Sequence, residues 1–109
     1  MSVLELRTYE ILPGCSERLM ARFRDHTDAL FRTHGMTPLG YWTSLENPDR
    51  LIYLLRHEGD PTANWNAFRD DPRWITARAE SVAEGELTAS IASELLADNA
   101  LSALVDETR

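Results

Sequence analysis

From Val3 to Ile11 the side chains alternate, Leu4, Leu6 and Thr8 on one face and Glu5, Arg7 and Tyr9 on the other, the period of a half-buried strand. Pro13-Gly14 ends it. From Ser16 to His34 the apolar positions Leu19, Phe23, Leu30 and Phe31 recur at helical spacing, with Ser16 the expected N-cap, Glu17 in the first turn and Gly35 suited to the position past the C-terminus. Two β-rich runs, Thr37–Ser44 and Leu51–His57, flank the turn cluster Glu46-Asn47-Pro48-Asp49 and predict an antiparallel hairpin. Asp60-Pro61 opens a second helix to about Arg69, and Asp71-Pro72 opens a third that Gly85 stops, each with proline at a tolerated first position. Trp65 and Trp74 bracket the Asp70-Asp71-Pro72 break, so these two short helices should pack at an angle on one core. Thr88 to Leu96 reads as a last strand, although Ala89, Ala92 and Ala97 leave a helix as the alternative.

The order β-α-β-β-α-α-β predicts an α+β, ferredoxin-like fold: a four-stranded antiparallel sheet with helices on one side. At 109 residues the chain has room for one core, placed here in residues 1–97, followed by an acidic tail over 98–109. Leu101 and Leu104 in that tail either pack against a partner or fray. The uncovered sheet face is expected to carry the odd positions Arg7, Tyr9, Tyr41, Tyr53 and Leu55. Such side chains should not remain in water, so a second copy of the sheet is the expected cover and the chain a homodimer.

Charge narrows the partners. Eleven basic residues, all arginine, stand against eighteen acids for a net charge of −7, and residues 80–109 hold one arginine against seven acids. With no basic face, nucleic acid and anionic membranes lack an electrostatic basis for binding. No apolar run approaches a membrane span, and the start lacks the basic-then-apolar order of a signal peptide, so a cytoplasmic protein is expected. The single cysteine, Cys15, excludes an intrachain disulfide and, near a helix start but without a placed base, is a weak nucleophile. The absence of lysine excludes Schiff-base chemistry.

Candidate chemistry is sparse. His26 and His34 fall on or beside the helical stripe 19, 23, 26, 30 and 34, so both are expected to look inward, as core residues or as an acid and base. Eight residues at ~1.5 Å rise separate them by about 12 Å, too far to share a metal ion. Arg7, in mid-strand, and Arg78, a turn beyond Trp74, are the charges expected to be partly buried, needing either an acidic partner such as Glu5 or Asp71 or an anionic ligand. Tyr9, Tyr41, Trp42, Tyr53, Trp65, Phe68 and Trp74 either fill the core or line a pocket. No cofactor is predicted: the five glycines form no phosphate-cradling loop for flavin or nicotinamide, and His26 or His57 as a haem ligand finds no other support. No Ser-His-Asp pattern, paired-carboxylate motif or Gly-x-Ser-x-Gly elbow points to hydrolysis.

Glu5-Leu6-Arg7-Thr8-Tyr9 with Pro13-Gly14, Phe31 with His34-Gly35, Gly40-Tyr41-Trp42-Thr43, and Trp65, Phe68, Asp71-Pro72, Trp74, Arg78 and Ser81 together resemble the NIPSNAP family. The resemblance covers roughly residues 3–96. It implies a pairing of two sheets into a dimeric α/β barrel, and a bacterial single-domain form without the leader of the animal relatives. That barrel group includes cofactor-free monooxygenases, lactone isomerases, polyketide-modifying enzymes and haem proteins, while NIPSNAP proteins also serve as binding or scaffold proteins. Two expectations follow. The first is a homodimeric enzyme performing cofactor-independent proton transfer on an aromatic or apolar metabolite, with His26 or His34 as base, Arg7 or Arg78 as anion stabiliser, and Tyr9 and Trp65 as positioners. The second is a non-catalytic module that binds a ligand or protein. An enzyme should have a solvent-connected pocket holding a histidine and an arginine; a module should have them paired off.

Overall fold

The computed structural model describes residues 3–105. Strand β1 (Val3–Ile11) leads through a tight turn into α1 (Ser16–Arg22), a π-turn (Phe23–Thr27) and α2 (Asp28–Thr33), which run on as one helix. Strands β2 (Met36–Thr43) and β3 (Arg50–His57) form the hairpin, α3 (Pro61–Asp70) and α4 (Pro72–Ser81) follow, and β4 (Thr88–Ala97) precedes a 3₁₀ turn (Ala100–Leu104). The strand order is β2-β3-β1-β4, every pair antiparallel. This is the predicted ferredoxin-like sheet, and the register of β4 along β1, from Val3 opposite Ala97 to Glu10 opposite Ser90, removes the helical alternative.

Local chemistry explains most boundaries. Asp60 caps α3 by accepting from the Ala63 N–H at 2.8 Å, and Asp71 caps α4 by accepting from the Arg73 N–H at 2.8 Å, each followed by proline. Ser16 does not cap α1. The Leu12–Cys15 turn, with Gly14 at φ +79°, delivers Cys15 to the cap position without a side-chain hydrogen bond and makes Ser16 the first helical residue. In the π-turn the Asp28 N–H reaches back five residues to the Phe23 carbonyl, and the Thr27 hydroxyl donates to the Arg22 carbonyl at 3.2 Å.

That extra residue in the turn advances the helical phase by one position. Inward-facing positions become Leu19, Arg22, Phe23, Thr27, Leu30 and Phe31, all buried, whereas His26 is exposed. The expectation that His26 looks inward is therefore corrected.

The predicted sheet faces are exchanged as well. Arg7, Tyr9, Tyr53 and Leu55 face the helices of their own chain and are buried there, with Glu5, Ile11, Leu51 and His57. A bulge in β2 between Pro38 and Gly40 switches the parity, so that Pro38 opposes Leu55 and Tyr41 opposes Tyr53. Tyr41, at the sheet's periphery, remains more than a third exposed. The uncovered face carries the even positions Leu4, Leu6, Ile52 and Leu54, all half-buried, and Trp42, 53% exposed. The Trp42 ring lies over Gly40, where an added Cβ would stand 2.7 Å from it. Alternation reveals two faces without saying which one the helices cover, and polar Glu5 and Arg7 look like the outer set until their partners are known.

The core is aromatic. Phe31 stacks on Phe68 with centroids 5.1 Å apart, Trp65 meets Phe31 edge-on at 5.6 Å, and Tyr9, Phe23 and Tyr53 form a triangle of edge contacts at 5.3–5.8 Å. In the described part of the tail, Leu101, Leu104 and Val105 are exposed; residues 106–109 of the expected acidic tail, and Met1 and Ser2 of the expected domain, lie outside the described residues. Among the described residues no helix is long and apolar enough to cross a membrane.

Candidate functional site

Between the inner face of the sheet and the helices lies a cavity of about 540 Å³. Arg7 and Tyr9 on β1 form its floor, Arg22, Phe23 and Thr27 one wall, and Trp65, Phe68 and Arg69 on α3 another. Trp74 and Arg78 on α4 complete it, and Ile75 and Ile91, each about half-exposed, stand with Glu86 at its mouth.

The floor is held by Glu5, 2% exposed, which accepts from four side chains. Trp65 Nε1 and His57 Nε2 each donate to Oε1 at 2.7 Å, while Arg7 Nη1, at 3.2 Å, and the Ser93 hydroxyl donate to Oε2. Burial works against an ionised Glu5, but the bonds from Ser93, Trp65 and His57 and the charge of Arg7 outweigh it and hold the carboxyl below its ordinary pKa. His57 is buried and has its other nitrogen, Nδ1, against the Asn64 amide at 3.1 Å. With both nitrogens engaged, His57 has none free to bind a haem iron.

Arg7 is held by three hydrogen bonds, one from each guanidinium nitrogen. Besides Glu5 it donates from Nε to the Tyr53 hydroxyl at 2.8 Å and from Nη2 to the Tyr9 hydroxyl at 3.3 Å, and its guanidinium lies 4.3 Å from the Trp65 ring centre. Burial opposes its charge, yet the Tyr53 and Tyr9 oxygens hold its pKa above that of an ordinary arginine.

The two phenols, 3.0 Å apart, then have one consistent proton arrangement. Tyr53 is fully buried, burial pushes its pKa well up, and its hydroxyl meets only Arg7, which has no acceptor, and Tyr9. A buried hydroxyl needs an acceptor, so Tyr53 donates to Tyr9. The Tyr9 oxygen therefore receives two donors, and its own proton is left for the cavity it lines.

Arg22 is the residue that sequence reasoning missed. It is 9% exposed and lines the cavity with its guanidinium 5.2 Å from the Trp74 ring centre. Nη1 donates to Ser81 Oγ at 3.1 Å, and Nε is buried without a partner. Burial lowers its pKa, and the nearby charge of Arg78 adds to that. The signal was available: position 22 lies three after Leu19 and beside Phe23, inside the inward arc, where an arginine is out of place.

Of the predicted residues, Arg7, Tyr9, Trp65, Phe68, Trp74 and Arg78 meet at the cavity. Arg78 is exposed at its edge, with Nη2 3.3 Å from Glu86. Tyr53 stands behind the lining, Tyr41 donates to Asp28 at 2.7 Å, and Trp42 is on the opposite sheet face; neither Tyr41 nor Trp42 lines the cavity. The histidines do not join it. His34 is half-buried with Nε2 2.8 Å from Asp71, tying the end of α2 to the cap of α4, and Arg73 with His34 holds the Asp71 carboxyl well below the usual carboxylate range. His26 faces outward near Pro72 and Glu80. Cys15, buried beside Arg18 Nη2 at 3.2 Å, also lies outside the lining. Among the described residues no three metal-ligating side chains cluster.

Comparison with known proteins agrees with this architecture. A NIPSNAP family protein from Agrobacterium tumefaciens strain C58 superposes with a TM-score of 0.79 at 19% identity, covering 94% of this chain and 90% of that one. A NIPSNAP-like domain protein from Burkholderia xenovorans gives 0.76 at 17%, covering 91% and 86%. A candidate antibiotic biosynthesis monooxygenase from Nitrosomonas europaea gives 0.67 at 12%, covering 89% of each chain. At these identities the likeness is one of fold. No curated protein matches the chain in sequence. The NIPSNAP family model matches residues 4–103, nearly the whole length, and the chain belongs to the NIPSNAP family.

Proposed function

We propose that this protein is a small enzyme that takes an aromatic or otherwise apolar metabolite into the cavity and moves a proton on it without a bound organic cofactor. What carries this reading is the Tyr9 hydroxyl at the cavity, within hydrogen-bond reach of Arg7 and of Tyr53, whose buried hydroxyl has no other acceptor. Placed there beside Arg7, Tyr9 is the group that can give a proton to a ligand atom and take one back. Tyr9 thus assumes the acid and base role that the sequence placed on His26 or His34, and Arg7 stabilises the charge. Removing a proton next to a carbonyl is a step shared by isomerisation, cyclisation and carbanion oxidation, and the fold's likeness to a candidate antibiotic biosynthesis monooxygenase accords with the last of these. The reading includes a homodimer joined through the even sheet face of Leu4, Leu6, Ile52 and Leu54, the apolar surface left uncovered in one chain.

Ligand binding without turnover is the second reading, favoured by the absence of histidine from the described lining. Deuterium exchange separates the two. In D₂O, a molecule captured from a cell extract should gain deuterium at carbon on the wild-type protein, and Tyr9→Phe should retain the molecule while slowing exchange by roughly 10²-fold or more. Equal exchange by wild type and Tyr9→Phe removes the role of Tyr9; no exchange by either, with the molecule bound, favours the binding module.

A further inference from the structure

Four arginines line the cavity; Arg69 and Arg78 are exposed, and the two buried ones, Arg7 and Arg22, are equally so at 9% exposure. Arg7 has a carboxylate, two hydroxyls and an indole face around it. Arg22 has one hydroxyl, from Ser81, and the Trp74 face; its Nε has no partner, and among the described residues it forms no ion pair. Arg78, also at the cavity, carries the same charge as Arg22, and Glu86 at the mouth is engaged by Arg78 Nη2. A buried cation without an anion is costly unless something supplies the negative charge. Ser81 and Trp74 fix the plane of the Arg22 guanidinium while leaving donors unused, the arrangement that a planar two-oxygen anion fits.

We infer that the cavity contains an anion subsite centred on Arg22, and that its ligand is an apolar carboxylic acid whose carboxylate sits on that guanidinium while its ring system lies against Trp74 and Phe23. The inference rests on the reading that the cavity binds a small molecule and adds the ligand's chemical class. Tyr9 on the floor is left to meet the uncharged end of the molecule.

Calorimetric titration of the whole chain with 2-naphthoate and with its neutral analogue 2-naphthamide tests this. The carboxylate should bind at least tenfold more tightly, and Arg22→Met should bring the two within about twofold of each other. Equal binding of both probes by the wild-type protein overturns the anion subsite while leaving a binding cavity; binding of neither overturns both readings. Should Arg22→Met fail to fold, the Arg22 Nε–H resonance of the wild-type protein decides. Movement with naphthoate but not with naphthamide supports the subsite, and a resonance that ignores both, or answers both alike, overturns it.

Discussion

Replacing Glu5 with leucine should remove about 3–5 kcal/mol of stability, because it leaves the buried Arg7 cation without its carboxylate. The same change strips the Trp65 indole N–H, His57 and Ser93 of an acceptor. For a domain of this size the loss lowers Tm by roughly 15–30 °C, a large part of the total stability. The floor of the cavity should loosen with it, since Trp65 and Arg7 are both held through this carboxylate. Glu5→Gln separates charge from shape: it keeps an acceptor oxygen but not the anion, and should fall between wild type and leucine.

Acidity gives an independent reading of the same residue. The Glu5 pKa is lowered in the folded state from an ordinary value of 4.5, so the native state holds fewer protons there than the unfolded chain. Its contribution is fully present above that ordinary value and is lost as pH falls through the folded one. Asp71, held below the usual range by Arg73 and His34, acts in the same direction at lower pH. Unfolding of the wild-type protein should therefore ease steadily below about pH 5, and Glu5→Gln should flatten that acid limb. An unchanged acid limb in Glu5→Gln contradicts the role given to the carboxylate.

Leu54→Asp should weaken self-association by roughly 10²–10³-fold, the consequence of placing an unpaired charge inside an apolar contact. Leu54 pairs with Leu6 at the centre of the even face and is half-buried in its own chain, so an aspartate there disturbs the fold far less than it would on the inner face. Sedimentation of the wild-type protein should give a dimer, and of Leu54→Asp a monomer with an unaltered helical spectrum. A monomeric wild type, or a dimer indifferent to this substitution and to Leu6→Asp, contradicts joining through this face.

Much of the fold is written in local pattern. The alternation in Val3–Ile11 and the Asp-Pro starts at residues 60 and 71 specify their elements with few competing options. The Trp65 ring, costly to place without an acceptor for its N–H, finds one in Glu5, and Glu5 is the partner that the sequence offered Arg7. What escaped depends on three-dimensional phase. One additional residue in the turn Phe23–Thr27 carries His26 to solvent, and nothing in Arg24-Asp25-His26 announces it. Which strand face the helices cover turned on whether Glu5 and Arg7 were solvated or paired, a matter decided by Trp65, His57, Tyr53 and Ser93, up to 88 positions away. The cavity's aromatic residues stood out in the sequence without a choice between core and lining, and the contact of the Tyr9 and Tyr53 hydroxyls required the fold.

The proposed function requires that the space between sheet and helices hold a small molecule. The most direct test is native mass spectrometry of the purified protein after incubation with a small-molecule extract of its own cells, beside Ala79→Trp, which places an indole at an exposed position of the lining and leaves the core untouched. One apolar acid per chain should be retained on the wild-type protein and none on Ala79→Trp. A wild-type protein that stays bare, or a retained mass that persists unchanged in Ala79→Trp, contradicts it.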